Sequence, residues 1–315
     1  MELRTIPRIL RIEGLIPFTI SAIVLGWVVT LWETGYTGAR WDLFAIAGVA
    51  ALLIHIDGHI WNDIMDLEID RFEKSKETGR DRPLVYGWAT VGEYRQLSLG
   101  IMALVVVLAA YLATQRVLIP LLFVLGFFFD YGYNHPRLAL AHHPFTEWYI
   151  FPWLVVGVTV TVVYAATGVL SILGFIIALL HGLMATGFVV SMMRRDARSD
   201  KRGGKWTTSV RYPDIPHATI YSIVTLIVAV LMLFPLVWIL GNTNLAYILV
   251  LATALAAGVN GVLAARVDQL STQALYSVFP DFEAVANRLM LRQAGVSLLY
   301  AAGITVILYV SGGFV

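Results

Sequence analysis

The chain has 315 residues, of which 58% are hydrophobic and 14% charged, with a formal net charge of +1. Soluble domains carry about a quarter charged residues, so the composition excludes that class and points to an integral membrane protein. Near-neutral charge speaks against nucleic acid as a partner. The lack of cysteine excludes a disulfide framework, a thiolate metal site and a cysteine nucleophile.

The N-terminus, "MELRTIPRILRIEGLIPFTISAIVLGW", has a basic start and then an apolar run of spanning length. No small-residue cleavage site follows, so it reads as a retained first helix and not as a signal peptide. Nine apolar runs are long enough to cross a bilayer, near 15–33, 43–64, 94–114, 117–133, 147–167, 170–194, 217–240, 244–265 and 293–311. They are apolar throughout and lack the period-two alternation of a membrane barrel. The expected fold is all-α, a polytopic bundle of nine transmembrane helices forming one domain over residues 1–315.

Nine crossings put the N-terminal segment and the loops near 65–93, 134–146, 195–216 and 266–292 on one side. That side holds every lysine and arginine except Arg40 and Arg116. The positive-inside rule places it, and the N-terminus, in the cytoplasm.

The second span runs into "HIWNDIMDLEIDR", residues 59–71. On a continuous helix Asp63, Asp66 and Asp70 share a face, Asn62 joins them, and Glu68 points elsewhere. His55 and His59 continue the stripe into the span. Asp130 and Tyr131 lie near the end of the fourth span, followed by Tyr133, His135, His142, His143 and Glu147. The loop histidines fit no clear metal-ligand spacing. The sixth span ends in "RRDARSDKRGGKWTTSV", residues 194–210, where Asp196 and Asp200 again share a face and Lys201, Arg202 and Lys205 follow. A single charge at a span boundary is usually a solvated helix end. Two arms of like carboxylates repel unless something cationic sits between them. Mg²⁺ is commonly held by a few carboxylates plus substrate phosphates, and neighbouring lysines and arginines suit the phosphate oxygens. The pattern predicts a diphosphate site between two metal-binding arms.

These residues resemble a known family. "NDIMDLEID" is similar to the first signature, N-D-x-x-D-x-x-x-D, of the UbiA superfamily of intramembrane prenyltransferases. "DARSDKRGGKWTTSV" is similar to its second, D-x-x-x-D with a glycine and a threonine beyond. The resemblance implies a bundle around a central cavity open to lipid, and Mg²⁺-dependent transfer of an isoprenoid chain from a polyprenyl diphosphate to a hydrophobic or aromatic acceptor. It maps Asn62, Asp63, Asp66, Asp70, Asp196 and Asp200 onto the catalytic positions. Asp63, Asp66, Asp196 and Asp200 are then the metal ligands, and Arg71, Lys74, Arg82, Lys201 and Lys205 the candidate phosphate partners. Tyr131 and Tyr133 are the candidates for stabilising the allyl cation, and His59 for contact with substrate. Trp61, Trp148 and Trp206 read instead as interfacial belt residues. Ionisable groups inside spans are expensive and usually functional. Asp57, His55, His59, Asp130 and His181 are therefore candidates for an acceptor base, although His181 reads better as a helix-to-helix hydrogen bond.

The branch signals are mixed. "GGKWT" resembles the 1,4-dihydroxy-2-naphthoate prenyltransferases of menaquinone biosynthesis. "YGYNHPRLALAHHPFTEW" resembles the stretch after helix 4 there, but has His135 in place of the first proline and Thr146 where a glycine precedes the glutamate. "RDRPLVYG" resembles the 4-hydroxybenzoate and geranylgeranylglyceryl-phosphate branches. Quinone precursors and archaeal-type lipid precursors both stand as acceptors, and both suit a prokaryotic plasma membrane. A membrane terpene cyclase would use the same carboxylates without an acceptor. A transporter with an acidic cytoplasmic vestibule is disfavoured, because transporters place their sites at broken helices near mid-membrane.

Overall fold

A computed structural model describes residues 6–71, 82–135, 137–276 and 282–312. Helix dominates, and no strand occurs among the described residues. Eight helices are long and apolar enough to span: α1 (Ile16–Thr34), α2 (Trp41–Met65), α3 (Val91–Gln115), α5 (Thr146–Thr167), α6 (Ile172–Arg202), α7 (His217–Leu240), α8 (Thr243–Tyr276) and α9 (Phe282–Ser311). The expected fourth crossing is the shorter apolar helix α4, Ile119–Asn134. Its 16 residues reach only about 24 Å at 1.5 Å per residue, against a hydrocarbon core of about 30 Å. The nine full-length crossings expected from hydropathy are thus eight long helices and one short one. The Arg116 guanidinium donates to the carbonyl of Ala165 on α5 (3.0 Å) just before α4 begins. His135 ends α4 in extended backbone, as residues before a proline prefer.

Hydropathy also stops short of the true helix ends. α6 continues past the expected boundary at 194 to Arg202, and α8 and α9 together take up most of the expected loop at 266–292. Charged residues end the apolar signal but remain good helix formers, so each helix extends until a breaker such as Gly203-Gly204.

α6 is the axis of the bundle. It touches α1, α5, α7, α8 and α9, and 78% of its apolar window is buried, whereas α3 and α7 are 17% buried and face outward. Polar contacts fix these helices where the membrane cannot supply hydrogen bonds. α1 opens with a π-helical turn, Ile16–Ile20. There the Pro17 carbonyl accepts from Ser21 Oγ (2.8 Å) and from His181 Nε2 of α6 (3.1 Å), while Ser21 Oγ lies 2.6 Å from the same nitrogen. His181 is fully buried in this contact, the helix-to-helix role expected for it. At the other end of α6, Arg194 pairs with Asp268 of α8 at 2.8 Å, both nearly inaccessible. Arg194 also donates to the Pro213 carbonyl (2.7 Å), and Asp268 accepts from the Thr219 backbone and hydroxyl (2.8 and 2.7 Å).

Removing one member of a buried pair strands the other charge. Arg194→Met is expected to cost about 3–5 kcal/mol, and Arg194→Met/Asp268→Leu distinctly less. Thermal unfolding in detergent measures both.

Candidate active site

A cavity of about 190 Å³ lies between the start of α1 and helices α2, α4, α5 and α6, far more room than one water needs. Its mouth is polar and its floor aromatic. Asn62, Asp66, Asp70, Asp196, Asp200 and Lys205 face it at the mouth, with Arg11, Arg82 and Arg195. Phe18, Phe129, Phe151, Phe188 and Tyr133 line the deeper part, where the Phe18 and Phe151 rings lie 5.8 Å apart and Tyr133 and Phe151 5.4 Å.

The two acidic arms meet here, although not as one straight stripe. α2 ends at Met65, Asp66 takes a non-helical backbone (φ −90°, ψ 8°), and a short helix, Leu67–Asp70, follows. The break turns Asp66 and Asp70 into the cavity. Asp63 remains on the α2 axis, nearly inaccessible and off the cavity wall, ion-paired to both Arg11 and Arg82. Arg82 also reaches Asp70 (3.2 Å), and Arg11 donates to Asn62 Oδ1 (3.2 Å). From the second arm, Lys205 donates to Asp66 Oδ2 at 2.8 Å, with Asn62 Nδ2 donating to the same oxygen at 3.1 Å. Arg195 forks onto Asp196. Each motif carboxylate named here is thus already neutralised by a basic side chain.

The double glycine makes this closure possible. A Cβ on Gly203 would fall 2.7–2.9 Å from three carbons of Ile69, and Gly204 has φ +78°. The first glycine lets the two arms touch. The second turns the chain back, so that the Lys205 amide donates to the Asp200 carbonyl at 2.8 Å.

Several expected site residues lie elsewhere. Arg71 is exposed and forks onto exposed Glu68 (2.8 Å), and Lys201 is exposed at the end of α6. Tyr131 stacks on Phe127 (5.3 Å) and meets the Trp61 edge (6.3 Å), outside the cavity lining. Lys74 lies outside the described residues. His59 does line the cavity, with its ring 4.6 Å from that of His55, which in turn bonds Thr19 (2.5 Å). Sequence reasoning missed Arg11, Arg195 and the four phenylalanines, counting both arginines only toward orientation. The one legible signal was Arg11 at a break before the apolar run; its φ of +40° shows that the chain bends to place it.

The donor set suits a hard cation, being carboxylates and an amide with no sulfur. Among the described residues no three His, Asp or Glu side chains stand close enough to hold an ion by themselves. The set fits an ion that completes its shell with phosphate oxygens, not one caged by protein alone.

A family model for the UbiA prenyltransferase family matches residues 19–287. Solved structures share the fold at low identity. A UbiA homologue from Archaeoglobus fulgidus bound to DMAPP and Mg²⁺ is 17% identical, with a TM-score of 0.58 over 96% of this chain and 98% of that one. The apo UbiA homologue from Aeropyrum pernix K1 is 20% identical, with a TM-score of 0.58 over 94% and 96%. A structure described for the biosynthesis of digeranylgeranylglyceryl phosphate synthase is 18% identical, with a TM-score of 0.56 over 95% and 98%. No curated protein matches the sequence.

Burial pulls the Lys205 amine down, but the charges of Asp66 and Asp200 outweigh it and hold its pKa above the ordinary lysine value. A raised lysine stabilises the fold below its unfolded pKa of about 10.4, and that contribution is lost only as pH rises through the higher folded value. Lys205 therefore stays protonated, and resists amine acylation, at pH values where exposed Lys201 is labelled. Asp66→Asn is expected to raise Lys205 labelling, read by peptide mass spectrometry.

Proposed function

The chain belongs to the UbiA prenyltransferase family, and from this we propose that it transfers an isoprenoid chain from a polyprenyl diphosphate to a lipophilic or aromatic acceptor within the membrane. The observation carrying this reading is the cavity itself: two acidic arms and their basic partners at its mouth, aromatic rings beneath. A diphosphate suits the mouth and an isoprenoid tail the floor.

Asp66, Asp196 and Asp200 would hold Mg²⁺, which supplies charge neutralisation for the departing pyrophosphate. Asp63, paired with Arg11 and Arg82, would be a fourth ligand, and Asn62 and Asp70 would complete the polar face. Arg11, Arg82, Arg195 and Lys205 are the phosphate clamps of this proposal. A diphosphate would give these cations a second anion to bind, beside the carboxylates that would hold the metal. Tyr133, Phe151 and Phe18 exclude water from the allylic carbon, and their faces stabilise positive charge by about 0.5–2 kcal/mol each. We assign the mouth and the N-terminus to the cytoplasm, since nearly all lysines and arginines fall on that side. The acceptor is a quinone precursor such as dihydroxynaphthoate or an archaeal-type lipid precursor.

The test uses purified protein, Mg²⁺ and radiolabelled geranylgeranyl diphosphate with dihydroxynaphthoate, 4-hydroxybenzoate, geranylgeranylglyceryl phosphate or no acceptor. Labelled product with one acceptor is expected. It should be abolished by EDTA and lowered at least ~100-fold by Asp66→Asn or Asp200→Asn. A cyclised product without acceptor would replace transfer by cyclisation, and failure to consume or bind any allylic diphosphate would overturn the proposal.

A further inference from the structure

One wall of the cavity carries a carboxyl that the phosphate chemistry does not use. Asp130 of α4 faces the cavity one helical turn below Asn134, about 6 Å deeper. It lies against Gly58 of α2, where a Cβ would fall 2.1 Å from Asp130 Oδ1. Glycine inside a helix costs about 1 kcal/mol relative to alanine, and here it makes room for this carboxyl. Next to Gly58 on α2 stands a second carboxyl, Asp57, which is 2% exposed and whose Oδ1 has no hydrogen-bond partner. Among the described residues no lysine, arginine or histidine pairs with either. His59, the other chain neighbour of Gly58, also lines the cavity, its Nδ1 buried and without a hydrogen-bond partner. The same cavity is lined by the rings of Phe129, Phe151 and Phe18.

Ionisable groups at such depth are costly and persist for function. Two adjacent carboxyls repel a phosphate or carboxylate, so an anionic head does not belong there. A neutral O–H does, because a carboxylate accepts its hydrogen bond and then its proton.

Resting on the prenyl-transfer reading, we propose that Asp130 is the base that takes the proton from the acceptor's hydroxyl. The allylic C–O bond breaks with its electron pair leaving on pyrophosphate. The new bond forms to the allylic carbon from the acceptor oxygen, or from a ring carbon conjugated to it, whose own hydrogen then passes as a proton to that oxygen and restores the aromatic ring. The O–H proton passes to an Asp130 carboxylate oxygen. Phenols and alcohols share this chemistry. The aromatic floor keeps water from competing as the nucleophile.

The experiment compares wild type with Asp130→Asn, Asp130→Glu and Gly58→Ala in the acceptor panel above, whose aromatic and alcohol arms identify the source of the hydroxyl. A second readout is positional isotope exchange in the diphosphate, from an ¹⁸O label in the bridging position, which reports donor ionisation apart from transfer. Asp130→Asn is expected to lower product at least ~100-fold, the usual worth of a general base, while Mg²⁺-dependent isotope exchange persists. Asp130→Glu should recover part of the transfer, and Gly58→Ala, which pushes Asp130 aside, should share the defect. Wild-type transfer by Asp130→Asn would overturn the assignment, as would loss of isotope exchange together with product. If wild type itself exchanges isotope but prenylates no acceptor, the transfer reading fails and this role falls with it.

Discussion

Everything in this molecule depends on keeping charge neutral where the chain leaves water. A carboxylate or guanidinium buried at a membrane boundary is costly, and a partner close by offsets that cost. The acids of the two arms are met by bases from four places: Lys205 of the second arm on Asp66 of the first, Arg82 on Asp63 and Asp70, Arg11 on Asp63, and Arg195 on its neighbour Asp196. The partners are of the kinds that would bind Mg²⁺ and diphosphate separately. A site of this design is stable empty and has its ligands' binding groups within reach of one another.

The bundle supplies the geometry for that exchange. α6 runs unbroken from the packed interior to Arg202, so the second arm is an extension of the most buried helix and not a loose loop. Its far end is anchored through His181 to the π-turn of α1, and its near end through Arg194 to α8. The first arm is different. It breaks at Asp66, and the break aims two of its acids at the cavity while Asp63 stays behind with Arg11 and Arg82. Gly203 then brings the two arms into contact over Ile69. One arm continues an unbroken helix and the other bends onto it, and residues of both face the cavity.

Much of this was legible in the sequence, because its signals are strong and local. Twenty-residue apolar runs name spanning helices with few alternatives. Carboxylates spaced three and four apart at two span ends announce a shared purpose before any contact is known. Of the carboxylates named that way, Asp66, Asp70, Asp196 and Asp200 face one cavity with Asn62 and Lys205, and Asp63 does not. Tyr131 and Tyr133 show the limit: two residues apart on α4, they point to different sides, and periodicity alone did not say which side was inside.

Composition and spacing determined the class of molecule, its helices and the acidic identity of its site, since hydropathy and charge pattern act over a few residues. Only the tertiary structure decided which cations neutralise which acids, that Arg11 swings in from before α1, that four phenylalanines floor the cavity, and that Asp130 faces it over Gly58. Several of those pairings join residues far apart in the chain, as Arg11 with Asp63 and Lys205 with Asp66. Their energies depend on distance and burial in a low-dielectric interior, quantities that exist only once the helices have packed.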